Sequence, residues 1–223
     1  MSHYTVYVIV PKNTKPSEKY LEKVLEPFDE QKEVPEYDRK CNCGINMLNH
    51  QLFKNVEKKL GPFPEIREAY HALPKAKQTE KKWKSMTAKF TALLKAEEKR
   101  MAGKAKPDKK CENCKGTGTY KSEYNPKAKW DWWVVGGRWN GLIKGITSTT
   151  ESIENNLEKA GKIKAKNFPF AIVTPEGEWV GQGDMGWFAI VSNEKDQNTW
   201  TKTCQTIFKK YKDLDVIGID CHI

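Results

Sequence analysis

The chain has 223 residues, enough for one ordinary domain with an excursion or for two small ones, so a core can form without disulfide staples. Lys and Arg number 39 against 29 Asp and Glu, a formal charge of +10, which points to a polyanionic partner until the charge is located along the chain. No stretch approaches an apolar membrane span. Thr5 to Val10 is too short and lacks the preceding basic residues of a signal peptide, so the expectation is a cytoplasmic protein whose six cysteines are ligands or buried thiols.

In chain order, His3 to Val10 carries apolar side chains at both alternating sets of positions and reads as a central strand buried on two faces. Pro16-Ser17 opens a short helix with apolar positions at Tyr20, Leu21, Val24, Leu25 and Phe28, limited by Pro27. From Ile45 to Lys106 good helix formers are broken at Gly61-Pro62, Pro64 and Pro74, which predicts two or three helices. The last has one apolar stripe, Trp83, Met86, Phe90, Leu93 and Leu94, read as packing residues on an otherwise basic rod. Lys75 to Lys110 holds twelve Lys and one Arg against four acidic residues, so nearly all the excess charge sits there.

Beyond Cys114 the composition turns to Trp, Val, Gly and Ile. Trp130 to Val135 reads as a strand and Ser148-Thr149-Thr150-Glu151 as a capping box opening a helix to about Ala160. Phe168 to Val173 and Glu178 to Gly181 form a predicted hairpin around Thr174 to Gly177, and Trp187 to Val191 a further strand. A helix with Trp200, Cys204, Ile207, Phe208 and Tyr211 on one side and a final strand, Val216 to Ile223, complete the pattern. This order predicts an α+β fold of the ferredoxin-like, split βαβ kind with an antiparallel sheet. Residues 1–40 and 119–223 would make the core, and residues 41–118 a zinc-closed, lysine-rich helical insertion.

Cys111-Glu112-Asn113-Cys114 followed by Lys115-Gly116-Thr117-Gly118 has the spacing and backbone freedom of a metal knuckle, and Cys41-Asn42-Cys43 supplies a second, less usual pair. Together Cys41, Cys43, Cys111 and Cys114 read as ligands of one structural zinc, whose closed shell of four sulfurs leaves no position for water. The eight residues Cys111 to Gly118 resemble one half of the zinc-binding cysteine repeats of J-domain chaperones, which implies a knuckle and not a chaperone.

Trp130 to Trp139 holds four of the eight tryptophans in ten residues, with Asp131, Gly136-Gly137 and Arg138 among them. Regular alternation would put Asp131 and Trp133 on one face and Trp130 and Trp132 on the other. Aromatic faces stack on bases and guanidinium grips phosphate bidentately, so Trp132, Trp133, Trp139, Trp187 and Arg138 are candidate ligand-binding residues for a nucleotide; an aromatic core ordered by an Asp131 to Arg138 ion pair is the alternative. On the last strand Gly218, Asp220 and His222 share a face that reads as the floor of a polar pocket. His222 oriented by Asp220, with Asp131 and Asp184 nearby, forms the candidate acid and base set for phosphodiester cleavage.

Trp130-Asp131-Trp132 with Gly136-Gly137-Arg138-Trp139, then Asp184-Met185-Gly186-Trp187, then Asp220-Cys221-His222-Ile223, resemble a family of small bacteriophage and prophage proteins, over Cys111 to Ile223 and the first strand. The resemblance implies a phage-encoded accessory protein in the host cell cytoplasm, of a kind that disables host defence or acts on nucleotides. The leading expectation is therefore a protein that binds a nucleotide or cyclic oligonucleotide and sequesters or hydrolyses it. The rivals are a nucleic-acid-binding module using the basic insertion and an inhibitor that covers a host protein.

Overall fold

A computed structural model describes residues 2–223 apart from the side chain of Trp187. In chain order it contains β1 (His3–Ile9), α1 (Glu18–Leu25), β2 (Tyr37–Lys40), α2 (Cys43–Leu60), α3 (Phe63–His71), α4 (Glu80–Met101), β3 (Thr119–Ser122) and β4 (Trp132–Val135). Then come β5 (Leu157–Lys159), β6 (Ala171–Val173), β7 (Trp179–Gly181), β8 (Asp184–Met185), β9 (Val191–Ser192), α5 (Gln197–Lys210) and β10 (Asp215–His222). Among the described residues no helix is long and apolar enough to cross a membrane. The chain forms two compact units, Met1–Pro35 with Glu123–Ile223, and Glu36–Ser122.

The first unit is a mixed sheet in the order β4-β10-β1-β6-β7, with β5 beside the other end of β10. β1 and β10 are central, which is why β1 reads as apolar on two faces, while β10 adds a polar end with Asp220 and His222. One face joins Tyr4, Val6, Val8, Ile217, Ile219 and Cys221 to Leu21 and Leu25 of α1. The other joins Tyr7, Ile9 and Val216 to Trp200, Cys204 and Phe208 of α5. Each large apolar side chain so buried contributes about 1.5–3 kcal/mol by leaving water. α1 is held at its start by Ser17, whose hydroxyl accepts from the Tyr20 N–H, and α5 by Asp196, which accepts from Asn198 and Thr199.

Two observations depart from the ferredoxin-like expectation. β1 and β6 pair in parallel, so the sheet is not antiparallel throughout, and α1 and α5 cover opposite faces where a split βαβ unit puts both helices on one. The fold is an α/β arrangement with helices on both sides of a mixed sheet.

Two local predictions also differ. Residues 148–160 form no α-helix, only a 3-10 turn at Glu154–Asn156: the Ser148 hydroxyl accepts from the Thr150 N–H, and Asn156 bonds Ser152, Asn140 and Gly141 through its side chain. These bonds replace helical ones, and Leu157–Lys159 pairs with β10 instead. Trp187 to Val191 is not one strand, because Phe188 and Ala189 take φ of 60° and 56° and turn the chain so that β9 pairs back on β8. Ser2 pins that turn, its hydroxyl accepting from the Ala189 N–H at 2.6 Å and donating to the Gly186 carbonyl.

The second unit has its own small core, in which the rings of Phe53, Phe63 and Phe90 meet at 4.8–5.6 Å and Trp83 packs against Phe63. Leu52, Val56 and Phe90 are buried, so Phe90 and Trp83 are packing residues. Glu97 of α4 accepts from Lys59 of α2 and from Arg100, tying the helices together. The unit begins at Glu36 and ends at Ser122 rather than at the cysteines, because β2 and β3 form an antiparallel ladder with Tyr37 opposite Ser122. It carries 21 Lys and Arg against 10 Asp and Glu, and the remainder of the chain 18 against 19.

Candidate functional site

The second unit holds the four predicted cysteine ligands together. β2 delivers Cys41, whose N–H bonds the Gly118 carbonyl, and Cys43 is the first residue of α2. Cys111 and Cys114 lie in a turn closed by the Lys115 N–H to Cys111 carbonyl bond, with Lys115, Gly116 and Gly118 all at positive φ. The sulfurs of Cys41 and Cys111 are 3.6 Å apart, those of Cys43 and Cys114 3.5 Å, and all four lie within 4.8 Å of one another. A tetrahedral ion with metal–sulfur bonds of about 2.3 Å needs sulfurs about 3.8 Å apart, so the set fits and can hold a metal ion.

Backbone N–H groups favour thiolates here, but burial and hydrogen bonds among the crowded sulfurs oppose them, leaving the Cys41 thiol raised to about 12 and the Cys43 thiol above its ordinary value. The Asp108 N–H donates to Cys43 Sγ at 3.3 Å, and Cys43 stands at the positive end of α2. Burial opposes ionisation of the Cys114 thiol, but N–H groups of Gly118 and Gly116 outweigh it and bring it down to about 7. Gly44 is required by close approach: a Cβ there would lie 2.3 Å from the Lys106 carbonyl oxygen. Among the described residues no other group of three or more His, Cys, Asp or Glu converges in this way.

The first unit holds a second constellation, on the same sheet face as α5 but at its far end, where the Gly136-Gly137 turn packs on Asp220. Register sets His3 opposite His222 and His222 opposite Trp132, so three rings lie in a row across β1, β10 and β4. His222 stacks on Trp132 with centroids 5.0 Å apart at 13°, and His3 meets both rings edge-on at 5.0 and 5.1 Å.

Each histidine is braced by its own carboxylate. His3 Nδ1 lies 3.0 and 3.2 Å from the two Asp220 oxygens, and His222 Nδ1 lies 2.6 Å from Asp131 Oδ1. An ionised carboxylate only accepts, so each Nδ1 carries the proton and each Nε2 is left to act on something else. Among the described residues His222 Nε2 is buried without any hydrogen-bond partner, a group that costs about 1–3 kcal/mol unless a ligand satisfies it. Asp220 is 1% exposed and also accepts from the Arg138 backbone N–H at 3.0 Å.

The glycine pair makes this cradle. Gly137, at φ 51°, faces Asp220 so closely that a Cβ would lie 2.5 Å from the Asp220 Cβ. Gly136, at φ 76°, similarly faces the amides of Asn156 and Asn140.

The expected residues are redistributed. Asp220 does not orient His222, since alternate residues of one strand lie too far apart for that bond; it orients His3, and Asp131 takes His222. Asp131 reaches the histidine side because regular strand geometry begins only at Trp132, while Trp130 and Trp133 turn to the α1 core. Trp133 is thus parted from the candidate site. Asp184 accepts from Asn193 at 2.9 Å and from Lys129 at 2.8 Å, which in that order hold its carboxyl below the usual range. Arg138 contributes its backbone N–H, and its side chain is exposed rather than paired with Asp131. Trp139 is half-buried in the same turn, and its ring is not in the row. The side chain of Trp187 lies outside the described residues.

His3 was missed. Its signal was the polar end of β1, His3 and Thr5, which matches the polar end of β10 once the two strands are paired antiparallel.

No family model, curated protein or solved structure matches this chain. The functional reading therefore rests on the site itself.

Proposed function

We propose that the His3 and His222 site binds a nucleotide or cyclic oligonucleotide and hydrolyses its phosphodiester, and that zinc in the four-cysteine centre serves only to hold the helical unit together. What carries the reading is a pair of histidines, each braced at Nδ1 by a separate carboxylate, one of which keeps a buried Nε2 without a partner among the described residues. A water or hydroxyl that donates to it would supply that partner, and once the ring is protonated a phosphate or leaving-group oxygen would accept from it. Trp132, 42% exposed, offers surface for a base, and the Arg138 guanidinium is free to grip phosphate.

In the reaction, one neutral imidazole takes a proton from water as the water oxygen bonds phosphorus. The P–O bond to the leaving group breaks, and the second imidazole, protonated, gives its proton to the leaving oxygen. Water attack and proton return need no further ion.

Incubation with mono-, di- and cyclic nucleotides, followed by mass spectrometry, tests this. Product is expected from the native protein and not from His3→Ala or His222→Ala, with Arg138→Ala raising KM more than it lowers kcat. Retention of a ligand without product selects sequestration, and neither retention nor product with any member overturns the reading. For the metal, analysis of protein purified without chelator is expected to give stoichiometric zinc, lost from Cys41→Ser and Cys114→Ser variants.

A further inference from the structure

The charge of this protein is segregated: residues 36–122 carry a formal +11, and the rest of the chain −1. Within that unit α4 turns Phe90, Thr87 and Glu97 inward, so its opposite face is fixed outward. Along the middle of the outward face run Ser85, Ala88 and Ala92, small and exposed. Around them stand Lys81, Lys82, Lys89, Lys95 and Lys99, all exposed. The helical acids fall elsewhere, Glu97 buried against Lys59 and Arg100, and Glu80 and Glu98 at the margins.

We propose that this face of α4 is a binding surface for the phosphate backbone of duplex DNA, read by charge and not by base sequence. From Lys81 to Lys99 the helix runs about 27 Å. A duplex carries one charge per about 1.7 Å of axis, so about 16 phosphates lie along that length. Small side chains on the midline let the backbone approach while lysines reach around it from both flanks. An anionic membrane is the poorer match, because the face has no large apolar side chain to insert: the helix has spent those on its own core. This inference uses neither histidine and stands or falls apart from the nucleotide site.

The test is fluorescence anisotropy of the full-length, zinc-loaded protein with a labelled 25 bp duplex of arbitrary sequence. Five phosphate contacts predict a slope of about −4.5 for log K against log salt, a loss of about 500-fold between 50 and 200 mM. The combined Lys81→Gln, Lys89→Gln, Lys95→Gln, Lys99→Gln variant should reduce the slope to about −1, with circular dichroism and zinc content unchanged because all four side chains are exposed. Four exposed lysines of the first unit, Lys164, Lys166, Lys202 and Lys209, changed to Gln should leave the slope as it was. No duplex binding at 50 mM salt, an unaltered slope in the α4 variant, or retention on phosphatidylserine vesicles without duplex binding would each overturn the proposal.

Discussion

Gly137 is where backbone freedom and the histidine site meet. Its φ of 51° is open to other residues at a cost of about 1–2 kcal/mol, but the space its side chain would need is held by Asp220 on a central strand. Gly137→Ala is therefore expected to destabilise the protein by about 2–4 kcal/mol in urea denaturation. Gly177→Ala is the matched control: φ is 80° there and nothing lies within 4 Å, so only the backbone term of about 1 kcal/mol should remain. Equal losses at both positions would show that Asp220 yields. His222→Phe makes a second contrast. It removes the unpartnered Nε2 and keeps a ring on Trp132, while Asp131, a third exposed, can turn to water. The melting temperature should hold or rise as nucleotide cleavage is lost, the pattern of a group retained for chemistry. These residues were legible to different degrees. Asp220 and His222 declared themselves by alternation within one strand, whereas His3 and the exchange of carboxylates depend on register, which no single segment contains.

At the scale of elements, β1, α1, α2 to α4, α5 and β10 could be read because each buries a face whose period is written in its own residues. The elements that could not are those whose bonds are made by side chains or by partners. Ser148 to Glu151 satisfies a capping pattern, but Asn155 and Asn156 supply competing bonds, and the edge of β10 supplies a place for a strand. β2 and β3 each have only four residues and exist as strands through one another. Glu97 gives the helical unit a pH dependence. Lys59 and then Arg100 hold its carboxyl below its ordinary 4.5, so the folded state prefers the ionised form. That contribution is in place above about 4.5 and fades as pH falls through the lower folded value. Thermal melts of the helical transition from pH 6 to 3 should therefore fall more steeply in the native protein than in Glu97→Gln, which has no carboxylate there to titrate. Parallel curves would mean that Glu97 is not what couples α2 to α4.

For the whole molecule, two cores and a four-cysteine cluster able to hold a metal predict two separable losses of structure. The cysteines make them measurable. Cys204 and Cys221 are buried in the sheet unit, where burial pushes the Cys204 thiol up to about 12 and the Cys221 thiol well above its ordinary value, so neither forms a reactive thiolate near neutral pH. The other four belong to the helical unit, where they lie close enough to hold a metal ion that would protect them. An aromatic disulfide reagent at pH 8 should label none of the six quickly in the zinc-loaded protein. After a strong chelator, Cys41, Cys43, Cys111 and Cys114 should react together with loss of α-helical ellipticity, and Cys204 and Cys221 should wait for denaturant. The cleavage proposed for the histidine site should survive chelation, since His3, His222, Asp131 and Asp220 all belong to the other unit. Duplex binding should weaken in the same step, because the face of α4 exists only while its unit is folded. Loss of cleavage in parallel with zinc would make the metal centre part of the reaction and replace the division of labour argued above.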